Sequence, residues 1–563
     1  MEQGWLAVFL GVALIVGFII SAVRGETKLK ARIEEQFGKR PEPEQEIRSI
    51  AEYWEKRRET DAPAHHIDTM TWDDLDMDKV FQIIDACQSG VGASVLYALL
   101  HEPCFEREML AQRERLMTLL DADPAMRLQL QVFLAKMGRP EGNALASFCY
   151  GISEKRVKRP WIYNVLTALP VLCIGVIFLN VYAGVTLLVL SLLANGVTYY
   201  RTSKRIETEL VGVKQFSALL WCAGKIAQTQ ALDSHPIVQP ITHGYKLFKK
   251  LGGRLSGLTQ QKVSDLDFLA EYFRIITLSN IRGYNRVIKT LDENTEVFRR
   301  LYQSVGELDA MIAVLSYRKS LDYYCLPGFI ADSRVDMADV YHPLIKNAVD
   351  NSLSLSRGCL ISGSNASGKS TFIKAAAVSA ILAQTVNTCL ARRFVMRPAL
   401  VITSMAVRDN VTAGESYFVT EIKSLRRILD KKIFFICFID EILKGTNTAE
   451  RIAASAAVLK YFESLDGICV AATHDIELTR MLGAGYDNYH FEETVTDAGI
   501  VFDYKIKPGP TRTRNAIKLL EFMGFDARIT ETAFRLAQGY DTSGQWPDSV
   551  QSGSKQGINM ENM

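Results

Sequence analysis

The chain has 563 residues, with 65 Lys and Arg against 63 Asp and Glu. That length calls for two or more domains, and the near-neutral balance excludes binding to nucleic acid through a global positive field, leaving only local patches. Ten cysteines include no Cys-x-x-Cys pair and no His/Cys cluster at metal spacing, which speaks against a zinc site or a disulfide framework and suits a reducing compartment.

Trp5 to Val23 carries no charge and at 1.5 Å per residue covers most of a bilayer core about 30 Å thick. A signal peptide is the competing reading. It is weakened because Met1-Glu2-Gln3 is not a positive n-region and no small-x-small site follows. Residues 1–24 are therefore expected to be a membrane anchor. Residues 25–69, polar and interrupted by Pro41 and Pro43, read as a linker with helical patches. Residues 70–158 are helical by pattern, with apolar side chains at three- and four-residue steps in Val80-Phe81-Ile83-Ile84 and from Met109 to Leu134.

Residues 159–201 hold a second apolar stretch. Trp161 to Tyr200 lacks Asp, Glu, Lys and Arg altogether. It is long enough for two spanning helices with a turn near Asn180 to Gly184. A buried soluble hairpin is the competing reading, but soluble helices of this length usually show a charged face. Basic clusters at Arg24-Lys28-Lys30-Arg32, Lys155-Arg156-Lys158-Arg159 and Arg201-Lys204-Arg205 flank the spans. All three fall on the cytoplasmic side if the N-terminus is outside. The expectation is a multi-pass protein of the cell (inner) membrane with its remaining mass in the cytoplasm. Trp161, Tyr163, Tyr199 and Tyr200 suit an interfacial aromatic belt. No ionisable residue lies within any span, which makes a transport pathway a poor reading.

Residues 202–335 form a second helical region, broken at Gly252-Gly253 and resuming from about Ser264 to Tyr324. Residues 336–538 change character. Short apolar runs at Leu400–Thr403, Phe434–Ile439, Ile468–Ala472 and Ile500–Tyr504 alternate with helical segments, predicting an α/β sheet domain with a phosphate loop at one edge. Residues 539–563, rich in Ser, Gly, Gln and Asn, read as a disordered tail.

The most informative residues are Gly363-Ser364-Asn365-Ala366-Ser367-Gly368-Lys369-Ser370, followed by Thr371. They fit Gly-x-x-x-x-Gly-Lys-Ser/Thr, the loop that cradles nucleotide phosphates. Its glycines let backbone N–H groups turn toward phosphate oxygens, and the helix that follows points its positive end at them. Lys369 reaches the β- and γ-phosphates and Ser370 is placed to ligate Mg²⁺. The apolar run Cys359-Leu360-Ile361 before it and a helical stretch to Gln384 after it supply the expected context.

Phe434 to Ile439 ends in Asp440-Glu441. Asp440 is placed to hold Mg²⁺, and Glu441, facing differently, to polarise an attacking water. His474 follows another apolar run and would emerge on the same sheet edge, where it could sense a γ-phosphate; a structural histidine is the bland alternative. Between these motifs, Asp409 to Phe418 reads as a polar turn entering a helix, and Ser416 at that helix start is a second anion site. Such a site suggests a head-to-tail ATPase dimer in which one subunit's serine completes the other's nucleotide site.

These residues resemble the MutS family of ABC-class ATPases. His342-Pro343-Leu344, Gly363-Ser364-Asn365 with Gly368-Lys369-Ser370-Thr371, Leu382-Ala383-Gln384, Asp409 to Phe418, Asp440-Glu441 with Gly445-Thr446-Asn447-Thr448, Ala472-Thr473-His474 and Tyr504 to Gly509 occur in the family's order. Upstream, Thr71 to Phe81 looks like the start of the family's helical core, and Gly306 to Ala310 like the end of its returning lever. The resemblance implies a helical core and lever region followed by an α/β ATPase domain. It also implies ATP with Mg²⁺, a homodimer through the ATPase domains, and DNA binding of the kind used in mismatch repair.

Four departures qualify it. Nothing before residue 70 is long enough for a mismatch-reading domain, and an apolar hairpin enters the helical region into which the family inserts a DNA clamp. Leu443-Lys444 replaces the family's Gly-Arg before Gly445, and Glu415 replaces a basic residue beside Ser416. The expectation is a membrane-anchored, MutS-like ATP hydrolase without the mismatch-recognition domain. A nucleotide-switched membrane scaffold acting on a protein partner is the alternative, and a transporter component a weaker one.

Overall fold

Six strands form the main sheet of the C-terminal unit, and four of its parallel strands are apolar along their length. They are β4 (Gly358–Ser362), β6 (Leu400–Ser404), β7 (Phe435–Asp440) and β8 (Gly467–Thr473), joined by β9 (Tyr486–His490) and β12 (Lys507–Pro508). Their order is β12-β9-β4-β8-β7-β6, all parallel except β12. Continuous apolar runs such as Phe435-Ile436-Cys437-Phe438-Ile439 are what a strand covered on both faces requires. A second sheet has the order β1-β5-β2-β3, from β1 (Gly328–Phe329), β2 (Val335–Val340), β3 (Asn351–Leu355) and β5 (Arg393–Met396). β10 (Glu493–Thr496) and β11 (Gly499–Phe502) form a separate antiparallel hairpin.

This computed structural model describes residues 21, 23–42, 47–140, 142–232, 235–252, 275–364, 367–405, 417–444, 446–496, 499–511, 516–543 and 545–546. The chain divides into two units. One comprises 1–66, 77–323 and 384–388; the other comprises 67–76, 324–383 and 389–563.

Two sequence expectations for the α/β unit change. The phosphate loop leaves β4, which is third of six strands and so lies inside the sheet. The run at Ile500–Tyr504 does not join the main sheet; its strand ends at Phe502 and pairs only with β10. The short helix Thr69–Asp74, expected in the helical core, belongs to the α/β unit. Asp74 Oδ2 accepts from Thr403 Oγ1 at 2.7 Å and from the Met405 amide at 2.9 Å, so β6 and this helix share one buried polar knot.

The other unit is helical throughout its described residues. Its core brings together the helices Ile47–Thr60, Gly90–His101 and Thr295–Lys319, with Tyr53 stacked on Tyr302 at 4.9 Å. Gly92 and Gly306 permit close approach: a Cβ at Gly92 would collide with Asp309 Oδ2, and one at Gly306 would lie 2.7 Å from Val95 Cβ. Asp309, fully buried, accepts from the Gln88 and Ser89 amides at 3.0 and 2.8 Å and from Ser89 Oγ at 2.6 Å. Burial pushes its carboxyl up to about 6.

The apolar hairpin consists of the helices Trp161–Ile177 and Val181–Ile226. Its turn is tighter than expected. Asn180 caps the second helix by accepting from the Ala183 amide at 3.1 Å, so Val181 to Gly184 are already helical. Among the described residues only Val181–Ile206 is both long and apolar enough to cross a membrane; Trp161–Ile177 has 17 residues and falls short of that length. The expected pair of spanning helices thus becomes one full-length helix and one shorter partner. Most of the N-terminal apolar stretch lies outside the described residues. At the other terminus, the helix Ala527–Ser543 carries regular structure into the stretch expected to be disordered, with Tyr540 stacked on Trp546 at 4.4 Å.

Candidate active site

Strand register collects the motifs. Ser362 at the end of β4 pairs with Thr473 of β8, and Asp440 at the end of β7 pairs with Ala472. The phosphate loop, the acidic pair and His474 therefore leave three adjacent parallel strands at their carboxyl ends, where open α/β sheets hold ligands.

The loop after β4 needs its glycines. Gly363 has φ 144° and Gly368 φ 106°, and a Cβ at Gly363 would lie 2.5 Å from the Phe491 carbonyl oxygen. Ser367 Oγ donates to Ser364 O at 2.8 Å. Lys369, buried at the first turn of the Lys369–Thr385 helix, donates to the carbonyls of Gly363 at 2.7 Å and Ser364 at 2.6 Å. Burial draws its ammonium down to about 8 from the ordinary 10.5, against the pull of Asp440, Glu441 and Glu493.

Ser370 Oγ donates to Asp440 Oδ2 at 2.6 Å. A hydroxyl and a carboxylate at this separation, facing one cavity with the phosphate loop, fit a Mg²⁺ site. Such an ion takes only one or two protein oxygens and completes its shell with phosphate and water. This explains why the pair suffices although no group of three or more His, Cys, Asp or Glu at metal-binding distance occurs among the described residues.

Glu441 points differently from Asp440 because its backbone is left-handed, at φ 61°. Its Oε1 accepts from His474 Nε2 at 2.9 Å and its Oε2 lies 3.3 Å from Lys444 Nζ. The hydrogen bond from His474, with Lys444 beside it, holds the carboxyl at about 2, below the ordinary 4.5 and against the effect of burial. Glu441 is thus an ionised acceptor at any physiological pH, which is the state a water-polarising group needs. Beyond it, Asn447 caps the helix Thr448–Phe462, accepting from the Glu450 amide at 2.9 Å. Arg451 from that helix grips Asp475, next to His474, at 2.7 and 3.0 Å.

A cavity of about 610 Å³ joins these groups, in the range of small-molecule sites. Its polar lining includes Ser364, Lys369 to Thr371, Asp440, Glu441 and Lys444; its apolar lining includes Ile345, Val349, Phe372 and Tyr504. His342, at the cavity wall, accepts from the Leu344 amide through Nδ1 at 3.3 Å, and burial lowers it to about 4. It lines the site as a neutral imidazole.

The structure therefore gathers Gly363, Ser364, Ser367, Gly368, Lys369, Ser370, Thr371, Asp440, Glu441 and His474 around one end of the sheet. Asn365, Ala366, Glu415, Ser416 and Gly445 lie outside the described residues. Leu443, standing where the family pattern has glycine, takes φ 58°. Sequence reasoning missed Glu493, whose Oε2 accepts from Ser364 Oγ at 2.7 Å, and gave Tyr504 no place in the site. Tyr504 sits at φ 53° with its carbonyl accepting from Asn351 Nδ2 at 2.9 Å. Glu493 carries no local motif, and the motif that opens at Tyr504 gave no sign of a place at the nucleotide loop; only the packing of distant segments brings them there.

Comparison with known proteins agrees with this geometry. Residues 359–540 match the family model described as MutS domain V. The chain is 28% identical over 271 residues to a DNA mismatch repair protein MutS of Natronomonas pharaonis, covering 46% of this chain and 31% of that protein. It is 25% identical over 283 residues to DNA mismatch repair protein MutS 2 of Haloarcula marismortui, covering 45% and 30%. Against a MutS of Petrotoga mobilis the identity is 26% over 268 residues, covering 44% and 32%. The matched region spans about a third of the length of these curated relatives. Over residues 359–540, which hold the phosphate loop and the acidic pair, the chain is similar to domain V of the MutS family.

Proposed function

We propose that this chain is a membrane-anchored ATP hydrolase of the MutS type, working as a homodimer through its ATPase domains. The observation that carries the reading is the convergence of Ser370 on Asp440 at 2.6 Å and of His474 on Glu441 at 2.9 Å, beside Lys369. Lys369 moves from its loop carbonyls to the β- and γ-phosphates of ATP, and loop amides donate to the remaining phosphate oxygens. Ser370 and Asp440 would hold Mg²⁺, which would supply charge neutralisation at the phosphates. Glu441 orients and polarises the attacking water, and His474, bonded to Glu441, reports the presence of the γ-phosphate. Ser416 of each subunit completes the partner's site. ATP binding closes the dimer, and hydrolysis releases it.

The curated relatives are DNA mismatch repair proteins, and DNA binding enters this proposal through them alone. Membrane attachment is supported by the hairpin, where Leu172, Phe178, Leu179 and Tyr182 are between two-thirds and nine-tenths exposed. Such apolar exposure suits lipid. It also favours a second reading, a nucleotide-switched scaffold at the inner membrane whose cytoplasmic output is a protein contact. One experiment separates them: Glu441→Gln protein trapped with ATP in membranes, crosslinked, and its bound material identified. Recovered DNA supports the repair reading, a recovered protein partner without DNA supports the scaffold. Absence of ATP binding by the wild type, with Lys369→Ala indistinguishable from it, would overturn both.

A further inference from the structure

Glu441 and Leu443 both adopt left-handed backbone conformations, at φ 61° and 58°. For side chains larger than glycine such a conformation is disfavoured and persists only where neighbours fix it. Three contacts fix this turn. The Glu441 amide donates to Ala472 O at 3.1 Å, continuing the β7–β8 ladder. Ser455 Oγ donates to Ile442 O at 3.2 Å. The third comes from Glu421 on the helix Tyr417–Leu429, whose Oε1 accepts the Lys444 amide at 3.3 Å.

Glu421 is an unusual residue for that task. Only 3% of it is exposed, and its Oε2 has no partner among the described residues. A buried carboxylate with one free oxygen is costly unless the other does something needed. Burial pushes it above its ordinary value, opposed by the Leu443 and Lys444 amides. What those amides control is the path from Glu441 to Lys444, whose Nζ lies 3.3 Å from Glu441 Oε2.

We propose that Glu421 is the positioning residue of the hydrolytic site: by holding the Leu443–Lys444 amides it aims the Glu441 carboxylate and its Lys444 neighbour at the attacking water. The proposal rests on the ATPase reading above and adds to it a residue outside the phosphate loop, the acidic pair and the histidine. Glu421 does not line the cavity that would take the nucleotide. Its effect therefore falls on turnover and not on nucleotide affinity.

The test uses the full-length protein in membranes, with ATP hydrolysis and equilibrium binding of a fluorescent ATP analogue measured on Glu421→Ala and Glu421→Gln. Glu421→Ala should lose roughly 10–100-fold in kcat, the scale of an ångström-sized misplacement, with analogue affinity within about threefold of wild type. Glu421→Gln keeps an acceptor oxygen for the amides and should recover most of that loss. Wild-type kcat in Glu421→Ala overturns the proposal, as does a Glu421→Gln protein no better than Glu421→Ala. Loss of analogue binding in both variants, which a general folding defect would produce, also counts against it. A wild-type protein that binds no analogue overturns the ATPase reading together with this one; wild-type turnover with an indifferent Glu421 overturns this one alone.

Discussion

His474 Nε2 donates to Glu441 Oε1 across 2.9 Å, and this bond is the first reason the Glu441 carboxyl titrates at about 2. Because the folded value lies below 4.5, ionised Glu441 contributes stability above that pH and loses it as pH falls toward 2. Replacing His474 with Ala should move the acid limb of the pH–rate profile upward toward 4.5. An acid limb in the same place in both proteins would remove His474 from any role in setting Glu441.

Lys369 gives the opposite limb. Its ammonium is drawn down to about 8, so above that pH the free site must take up a proton before it can pair with phosphate. ATP affinity should therefore fall as pH rises past 8, by up to roughly tenfold per unit. Calorimetry in buffers of different ionisation enthalpy would show proton uptake on binding at pH 9 and none at pH 7. Equal affinity at both would mean that Lys369 remains charged.

Removing the Ser370 hydroxyl takes away one of the two protein oxygens proposed to hold Mg²⁺. The Mg²⁺ concentration for half-maximal hydrolysis should rise roughly 10–100-fold in Ser370→Ala, with metal-free nucleotide binding much less affected. Titration of Mg²⁺ at saturating ATP measures it.

Arg318 is nearly buried. It pairs with Glu114 through both terminal nitrogens at 2.9 and 2.8 Å and also donates to Asn387 O at 2.8 Å and Thr388 Oγ1 at 2.9 Å. Arg318→Met should destabilise the helical unit by about 3 kcal/mol, the low end for a broken buried pair, because Glu114 keeps some solvent contact. Urea unfolding followed by far-ultraviolet circular dichroism would report it.

The hairpin prediction is physical separation. Full-length protein should stay in the membrane pellet after alkaline carbonate washing and leave it in detergent. Lysine at Leu172, Leu187 and Leu190, each about half or more exposed, should make insertion cost about 3 kcal/mol per charge at mid-bilayer. Unchanged retention of the triple variant would argue that the N-terminal stretch alone holds the protein.

Much of the site was legible before any fold was known. Gly363 to Ser370 and Asp440-Glu441 are local signals, because a phosphate cradle and a strand-end acid need particular residue types at fixed spacing. Glu493, Tyr504 and Glu421 were not legible, since each reaches the loop across a turn or a neighbouring helix and leaves no spacing to read. The same limit misplaced Ile500–Tyr504. An apolar run of strand composition does not say which sheet it joins, and here the pairing with β10 decided it.

Apolar runs and glycine spacing alone pointed to an α/β phosphate-loop domain in the last third of the chain, and the sequence shows that Trp161 to Tyr200 lacks any charge. Periodicity and glycine placement are properties of the local chain, and local chain carries them. Only the tertiary structure decided that β4 lies inside the sheet, that Thr69–Asp74 joins the α/β unit, and that one hairpin helix is shorter than the other. It also decided that Glu441 and Leu443 turn left-handed under the hold of Glu421, Ser455 and Ala472. Strand order and backbone strain are set by contacts between residues far apart in sequence, and those contacts exist only once the chain has folded.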